Sequence, residues 1–177
     1  MKLAFCYLLT LLFLLGYGTY KHNGQQRHNE NVLPKATGAK TLELLHREES
    51  RKIQTFFKNY DSPLESQADD IVNASYVYGI DYRILPAIAM VESGGCKYPA
   101  PGTLYNCFGF KSYSSPNGWW RFENYNESIW KIAQTLGTNP AYKRFQETGQ
   151  IQELAIVYNL SSQKWIEDVN YFYNQIK

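Results

Sequence analysis

A predicted helix near the middle of the chain carries an acidic residue on its apolar face. Asp81 is expected to cap this helix, which extends from Ile84 to Glu92 and tolerates Pro86 because that residue falls near the first turn. One face contains four positions at the spacing i, i+3, i+4 and i+7: Leu85, Ile88, Ala89 and Glu92. A carboxylate placed there either loses hydration or keeps its proton, because burial disfavours the charged form. Glu92 is therefore a candidate general acid; the alternative is a solvated residue at the helix end.

Two N-terminal segments precede a single expected domain. Residues 1–20 begin with a charged Lys2 and continue with an uncharged apolar run, which is the order of an export signal. A cleaved signal peptide and a retained membrane anchor are both open, and the lack of a clear small-residue cleavage site favours the anchor. Residues 21–40 are polar and predict a linker, and residues 41–177 are the expected domain. We expect export to the cell envelope, either membrane-anchored or extracellular.

Charge and aromatic content restrict the class of partner. The chain of 177 residues has a formal net charge of +2, and its basic residues are scattered among acids, which argues against a nucleic-acid partner. Aromatic residues make up 16% of the chain. Their rings either stack on sugar faces or fill a small core. We expect a monomer without a cofactor.

Two cysteines lie in the expected domain. In an exported protein, Cys96 and Cys107 are expected to form a disulfide that contributes about 3 kcal/mol through loop closure, the alternative being two free thiols. Cys6 lies within the apolar N-terminal run and fits a small apolar residue. No metal site is expected, because the histidines all lie upstream of the cysteine pair without ligand spacing: His22, His28 and His46.

The remaining pattern predicts a mainly α fold with a small β-hairpin. Ser62 and Glu65 signal the start of a helix that Gly79 ends. Asn117-Gly118 is a turn signal between two aromatic runs and predicts the hairpin. Apolar periodicity predicts further helices within residues 42–60, 129–136, 140–145, 151–158 and 165–176.

Several short motifs occur in a characteristic order. They are Tyr78-Gly79-Ile80-Asp81, Leu85-Pro86-Ala87-Ile88-Ala89, Glu92-Ser93-Gly94, Tyr105-Asn106-Cys107-Phe108-Gly109-Phe110, Trp120-Arg121-Phe122 and, before Trp165, Ala155-Ile156-Val157-Tyr158-Asn159. This order resembles the lysozyme-like superfamily of peptidoglycan-cleaving enzymes. The lytic transglycosylases have a helix that ends in a catalytic Glu followed by Ser. The bacterial endo-β-N-acetylglucosaminidases add an Asn-x-Phe-Gly segment, and this match, from about Asp69 to the C-terminus, is closer.

The resemblance implies a lysozyme-like helical domain with the hairpin beside an active-site cleft, and a substrate that is peptidoglycan or a related GlcNAc-containing glycan. Glu92 would be the proton donor, and Tyr158 would line the cleft near the scissile bond. The residues expected to contact substrate are Ser93, Asn106, Phe110, Trp119 and Asn159. The alternative interpretation of Tyr158 is a core tyrosine on an amphipathic helix. The alternative interpretation of Asn106 is a turn residue. Of the adjacent Trp119 and Trp120, one is expected in the core and one on the sugar.

A second catalytic acid is hard to find. Glycosidases that invert or retain configuration use two carboxyl groups, yet residues 94–122 contain no Asp or Glu. Glu123 is the first candidate. Without it, the routes left are capture by the substrate's own hydroxyl, as in transglycosylases, or assistance from its N-acetyl group. A domain that binds glycan without cutting it is the alternative of a different class.

Overall fold

The structure is a computed structural model that describes residues 35–177. The predicted signal or anchor, and the linker up to residue 34, lie outside the described residues. Seven α-helices form the described part: α1 (Lys35–Lys58), α2 (Ala68–Tyr78), α3 (Ile84–Ser93), α4 (Tyr125–Thr138), α5 (Lys143–Thr148), α6 (Ile151–Tyr158) and α7 (Gln163–Gln175). Short 3-10 helices at Pro63–Gln67 and Pro140–Tyr142 precede α2 and α5. The mainly α prediction is confirmed.

Helix α1 begins earlier than the sequence predicts. It starts at Lys35, within the predicted linker, and residues 38–45 are exposed. Its buried positions lie on one face of the second half: Ser50, Ile53, Phe56 and Phe57. Leu42 and Leu45, which the apolar spacing included, are exposed, so that spacing does not mark a buried face in this part of the helix. Within residues 35–177, no helix is both long and apolar enough to span a bilayer.

Helix α3 is the buried centre of the fold and packs against α7. Residues 84–90 are all buried, as expected for a helix that is apolar on every side. The prediction that Asp81 is the N-cap is corrected. Arg83 occupies the cap position, whereas the Asp81 carboxylate accepts the main-chain N–H of Arg83 at 3.0 Å in the turn before it.

A glycine pair ends α3 directly after Ser93. Gly94 is left-handed at φ 61°, and its N–H donates to the carbonyl of Met90, while the N–H of Gly95 donates to that of Ala89. These bonds satisfy carbonyls of the last helical turns, and a glycine adopts the left-handed conformation without steric cost. Glu92 therefore lies in the last turn of a buried helix.

The segment predicted as a hairpin contains one isolated antiparallel bridge, between Lys111 and Trp119. Hydrogen bonds from Trp120 N–H to Phe110 O and from Ser112 N–H to Gly118 O flank this bridge. Between them, the main chain of residues 112–118 forms turn hydrogen bonds from Ser115 N–H to Ser112 O and from Gly118 N–H to Ser115 O. The antiparallel pairing therefore does not extend into this turn. Residues 35–177 contain no strand, and the β-hairpin is not confirmed.

Candidate active site

The carboxyl group of Glu92 lies between α7 and the loop that follows Cys107. The indole Nε1–H of Trp165 donates to Oε1 at 2.7 Å. A Cβ added to Gly109 would lie 2.3 Å from Oε2, so only glycine fits beneath that oxygen. Oε2 has no hydrogen-bond partner within residues 35–177 and is not sealed from solvent. One oxygen is thus fixed by α7, and the other is left for a ligand.

Burial raises the pKa of Glu92 above the ordinary value of a glutamate. The hydrogen bond from Trp165 and the positive charge of Lys111 lower this pKa, but burial has the larger effect. The last turn of a helix acts in the same direction as burial, because it carries partial negative charge. A carboxyl that retains its proton closer to neutrality can serve as a general acid.

A fully buried amide holds the loop that faces Glu92. Asn106 Nδ2 donates to the carbonyls of Phe110 at 2.8 Å and Trp120 at 3.0 Å. Asn106 Oδ1 accepts the N–H of Phe110 at 2.8 Å. The side chain is 0% exposed and its polar atoms bond within the protein, so the structure does not place Asn106 at the cleft surface, and its contact with substrate stays a prediction. Asn106 places Gly109 against Glu92.

The expected disulfide between Cys96 and Cys107 is present. Ser93 joins both ends of the loop that it closes, because Ser93 Oγ donates to the carbonyl of Cys107 at 2.6 Å and accepts the N–H of Cys96 at 2.9 Å. The Ser93 side chain is buried, with these hydrogen bonds inside the protein. Its predicted contact with substrate stays a prediction.

A cleft of about 310 Å³ lies beside Gly109. It is within the size range of small-ligand sites. Most of its lining side chains are aromatic, and the lining includes Phe110, Lys111, Tyr113, Tyr142, Tyr158 and Leu160. Clefts of about 490 and 650 Å³ lie along α1, but neither is lined by a residue that contacts Glu92. Glu92 does not itself line the smaller cleft, but Gly109 does and also lies against Oε2 of Glu92, so this cleft is the candidate site.

Tyr158 connects the cleft wall to the indole that holds the acid. Its hydroxyl donates to the carbonyl of Phe108 at 2.5 Å, and its ring stacks on Trp165 with centroids 5.4 Å apart. Burial raises the pKa of Tyr158 well above its ordinary value, and the nearby Glu92 charge adds to the shift. The phenol therefore stays protonated. The structure brings the predicted Tyr158 and Phe110 together in the cleft lining.

Three further predicted residues are not in the cleft lining. Trp119 is half-buried beneath the Lys111 amine, 5.8 Å from the ring centroid. Asn159 is half-buried at the end of α6. Glu123 is exposed, and its main-chain N–H donates to the Glu127 carboxylate at 2.6 Å. Within residues 35–177, Lys111 is the charged side chain that lowers the pKa of Glu92. The same residues contain no cluster of side chains suited to a metal ion.

Sequence analysis missed several residues of this site. Gly109 and Lys111 flank Phe110, which the sequence already indicated as a candidate, so both could have been predicted as neighbours of the site. Trp165 shows only the apolar spacing of a core residue, and its pairing with Glu92 depends on α7 packing against α3. Tyr142 had no distinguishing signal.

No protein-family model matches the chain, and no curated protein or solved structure is significantly similar to it. The likeness to the lysozyme-like superfamily depends on the ordered motifs alone, and the family remains a proposal.

Proposed function

We propose that the domain cleaves the glycan backbone of peptidoglycan with Glu92 as the proton donor. The environment of Glu92 carries the proposal: a carboxyl with a raised pKa, held at Oε1 and free at Oε2, beside an aromatic cleft. Positioned proton donors contribute about 10²–10⁴-fold to rate. Aromatic walls supply flat surfaces on which sugar rings stack. Such a substrate requires export, which residues 1–20 predict.

Within residues 35–177 no second acid acts on Glu92, and this favours lytic transglycosylase chemistry. In this scheme, Glu92 gives its proton to the glycosidic oxygen, and the bond from that oxygen to the anomeric carbon breaks. The C6 hydroxyl of the same sugar then attacks the anomeric carbon and returns its proton to the Glu92 carboxylate, leaving a 1,6-anhydro ring. Hydrolysis assisted by the N-acetyl group, as in an N-acetylglucosaminidase, is the other route. Glu123 as the second acid is less favoured, because its side chain is exposed.

Digestion of isolated murein sacculi by the purified protein tests this proposal. Mass spectrometry of the soluble products distinguishes the two chemistries: 1,6-anhydro ends identify a transglycosylase, and reducing ends identify a hydrolase. Sacculi that stay intact through prolonged incubation would exclude both.

A lysozyme-like domain that binds glycan without cutting it is the second candidate function. In the described part of the chain no second acid acts on Glu92, and this favours the binding domain. A pure binding site, however, gains little from a buried acid, which costs free energy of folding. Cosedimentation with sacculi that remain intact would support this candidate over the enzyme.

A further inference from the structure

Lys111 lines the cleft as a cation that has no acidic partner among residues 35–177. The side chain is exposed and lines the cleft next to Phe110. Within residues 35–177, no carboxylate lies within ion-pair distance of its amine, whereas Lys143 and Lys164 each have one on their own helix. The remaining cleft residues are aromatic or apolar, apart from Gly109. The protein therefore leaves one positive charge in this cleft for a ligand to neutralise.

The fold holds this charge in place. The main chain of Lys111 forms the antiparallel bridge to Trp119, and the preceding Phe110 is bonded on both main-chain polar groups to Asn106. The Lys111 amine lies over the Trp119 ring, an arrangement that limits its freedom. The main chain that carries Lys111 is thus held in place, and its positive charge is near enough to Glu92 to lower the pKa of that carboxyl.

We propose that Lys111 binds a carboxylate of the glycan substrate and gives the domain a preference for acidic glycans over neutral GlcNAc polymers. This inference rests on the proposed function. Two parts of peptidoglycan supply such a group: the lactyl carboxyl of the muramic sugar once its peptide is removed, and the acidic residues of the stem peptide. An ammonium binds either one through charge-assisted hydrogen bonds. When a substrate carboxylate pairs with Lys111, the positive charge of Lys111 lowers the pKa of Glu92 less. Glu92 therefore holds its proton more firmly when an acidic substrate is bound.

The test compares wild type with Lys111→Gln on three soluble substrates: glycan strands with stem peptides, the same strands after amidase removal of the peptides, and GlcNAc oligomers. We expect KM for an acidic strand to rise about fivefold, the size of an exposed ion pair, with little change for the neutral oligomers. Lys111→Arg should restore the preference, and added salt should reduce it in wild type. An effect on only one of the two acidic strands identifies which carboxylate is bound.

Lys131→Gln is the matched control. Lys131 also lies over a tryptophan ring, that of Trp120, but it does not line this cleft. Its substitution should leave the three KM values unchanged. A second readout separates charge from structure: Lys111→Gln should move the alkaline limb of the rate on neutral oligomers to higher pH, because the lysine charge lowers the pKa of Glu92.

Failure of this inference is distinguishable from failure of the proposed function. If wild type cleaves the strands but Lys111→Gln alters KM for all three substrates equally, or for none, the role of Lys111 is overturned and the enzyme stands. If wild type binds without cleavage, the enzyme is overturned, and dissociation constants for the same ligands decide the role of Lys111. A wild type that neither binds nor cleaves any of them overturns both.

Discussion

The indole Nε1–H of Trp165 donates a 2.7 Å hydrogen bond to Oε1 of Glu92 and thereby ties α7 to the end of α3. The bond lowers the pKa of Glu92 against the larger effect of burial. It also turns the other carboxyl oxygen toward the side where Gly109 borders the cleft. Trp165 is therefore a positioning residue for the proposed acid.

Trp165→Phe should separate the hydrogen bond from the packing. Phenylalanine keeps an aromatic ring against Tyr158 but has no N–H donor. We expect the pKa of Glu92 to rise, so that the alkaline limb of the pH–rate profile moves to higher pH. The maximal rate should fall about tenfold as the carboxyl loses its fixed orientation. A pH profile identical to that of wild type would contradict this role.

Gly109→Ala tests the contact beneath Oε2. The added Cβ would meet Oε2 of Glu92 at 2.3 Å and displace the carboxyl, so we expect activity to fall by about 100-fold. Gly118→Ala is the matched control, because Gly118 also has positive φ but its Cβ would meet nothing within 4 Å. Both variants should lose about 1–2 kcal/mol from backbone strain, measured by denaturant unfolding. Equal activity in the two variants would argue against the contact.

Glu92→Gln should stabilise the protein at neutral pH. Folding raises the pKa of Glu92, so its contribution to stability is fully present below the unfolded pKa and is lost as pH rises through the folded pKa. Glutamine stays neutral throughout and keeps an oxygen to accept the Trp165 N–H. The melting temperature of the variant relative to wild type should therefore increase as the pH rises above the ordinary pKa of a glutamate and level off above the raised pKa of Glu92. A difference that is independent of pH would show that the raised pKa is wrong.

Removal of the disulfide should affect both stability and turnover. With Cys96 and Cys107 both changed to Ser, the free energy of unfolding should fall by about 3 kcal/mol. Activity should fall as well, since the loop leads directly to Phe108 and Gly109. Reductant should reproduce the loss in wild type and have no further effect on the double variant.

Local signals predicted much of this fold. Gly79 takes the left-handed conformation that ends α2, as predicted, and the apolar face of α3 is buried as its spacing indicated. Burial of Asn106 was not predictable, because its partners, the main-chain groups of Phe110 and Trp120, come together only in the folded loop. The expected hairpin is one antiparallel bridge in the structure. Asn117-Gly118 predicts a turn, but the length of the pairing beside it depends on contacts that form only in the folded loop.

The site was predictable only in part. The position of Glu92 near the end of the buried helix followed from helical spacing, because that spacing depends only on the local sequence. The donor to its carboxyl comes from Trp165, 73 residues later, and depends on how α7 packs. Contacts of this kind arise from tertiary packing and leave no mark in the local pattern.

The most direct test of the central claim is the amount of soluble muropeptide that three proteins release from murein sacculi: wild type, Glu92→Gln and Glu123→Gln. Glu92→Gln should reduce release by at least about 100-fold while the protein remains folded. Glu123→Gln, an exposed acid in the same half of the chain, should release as much as wild type. Undiminished release by Glu92→Gln would contradict the account, because the proposed proton donor would then be dispensable.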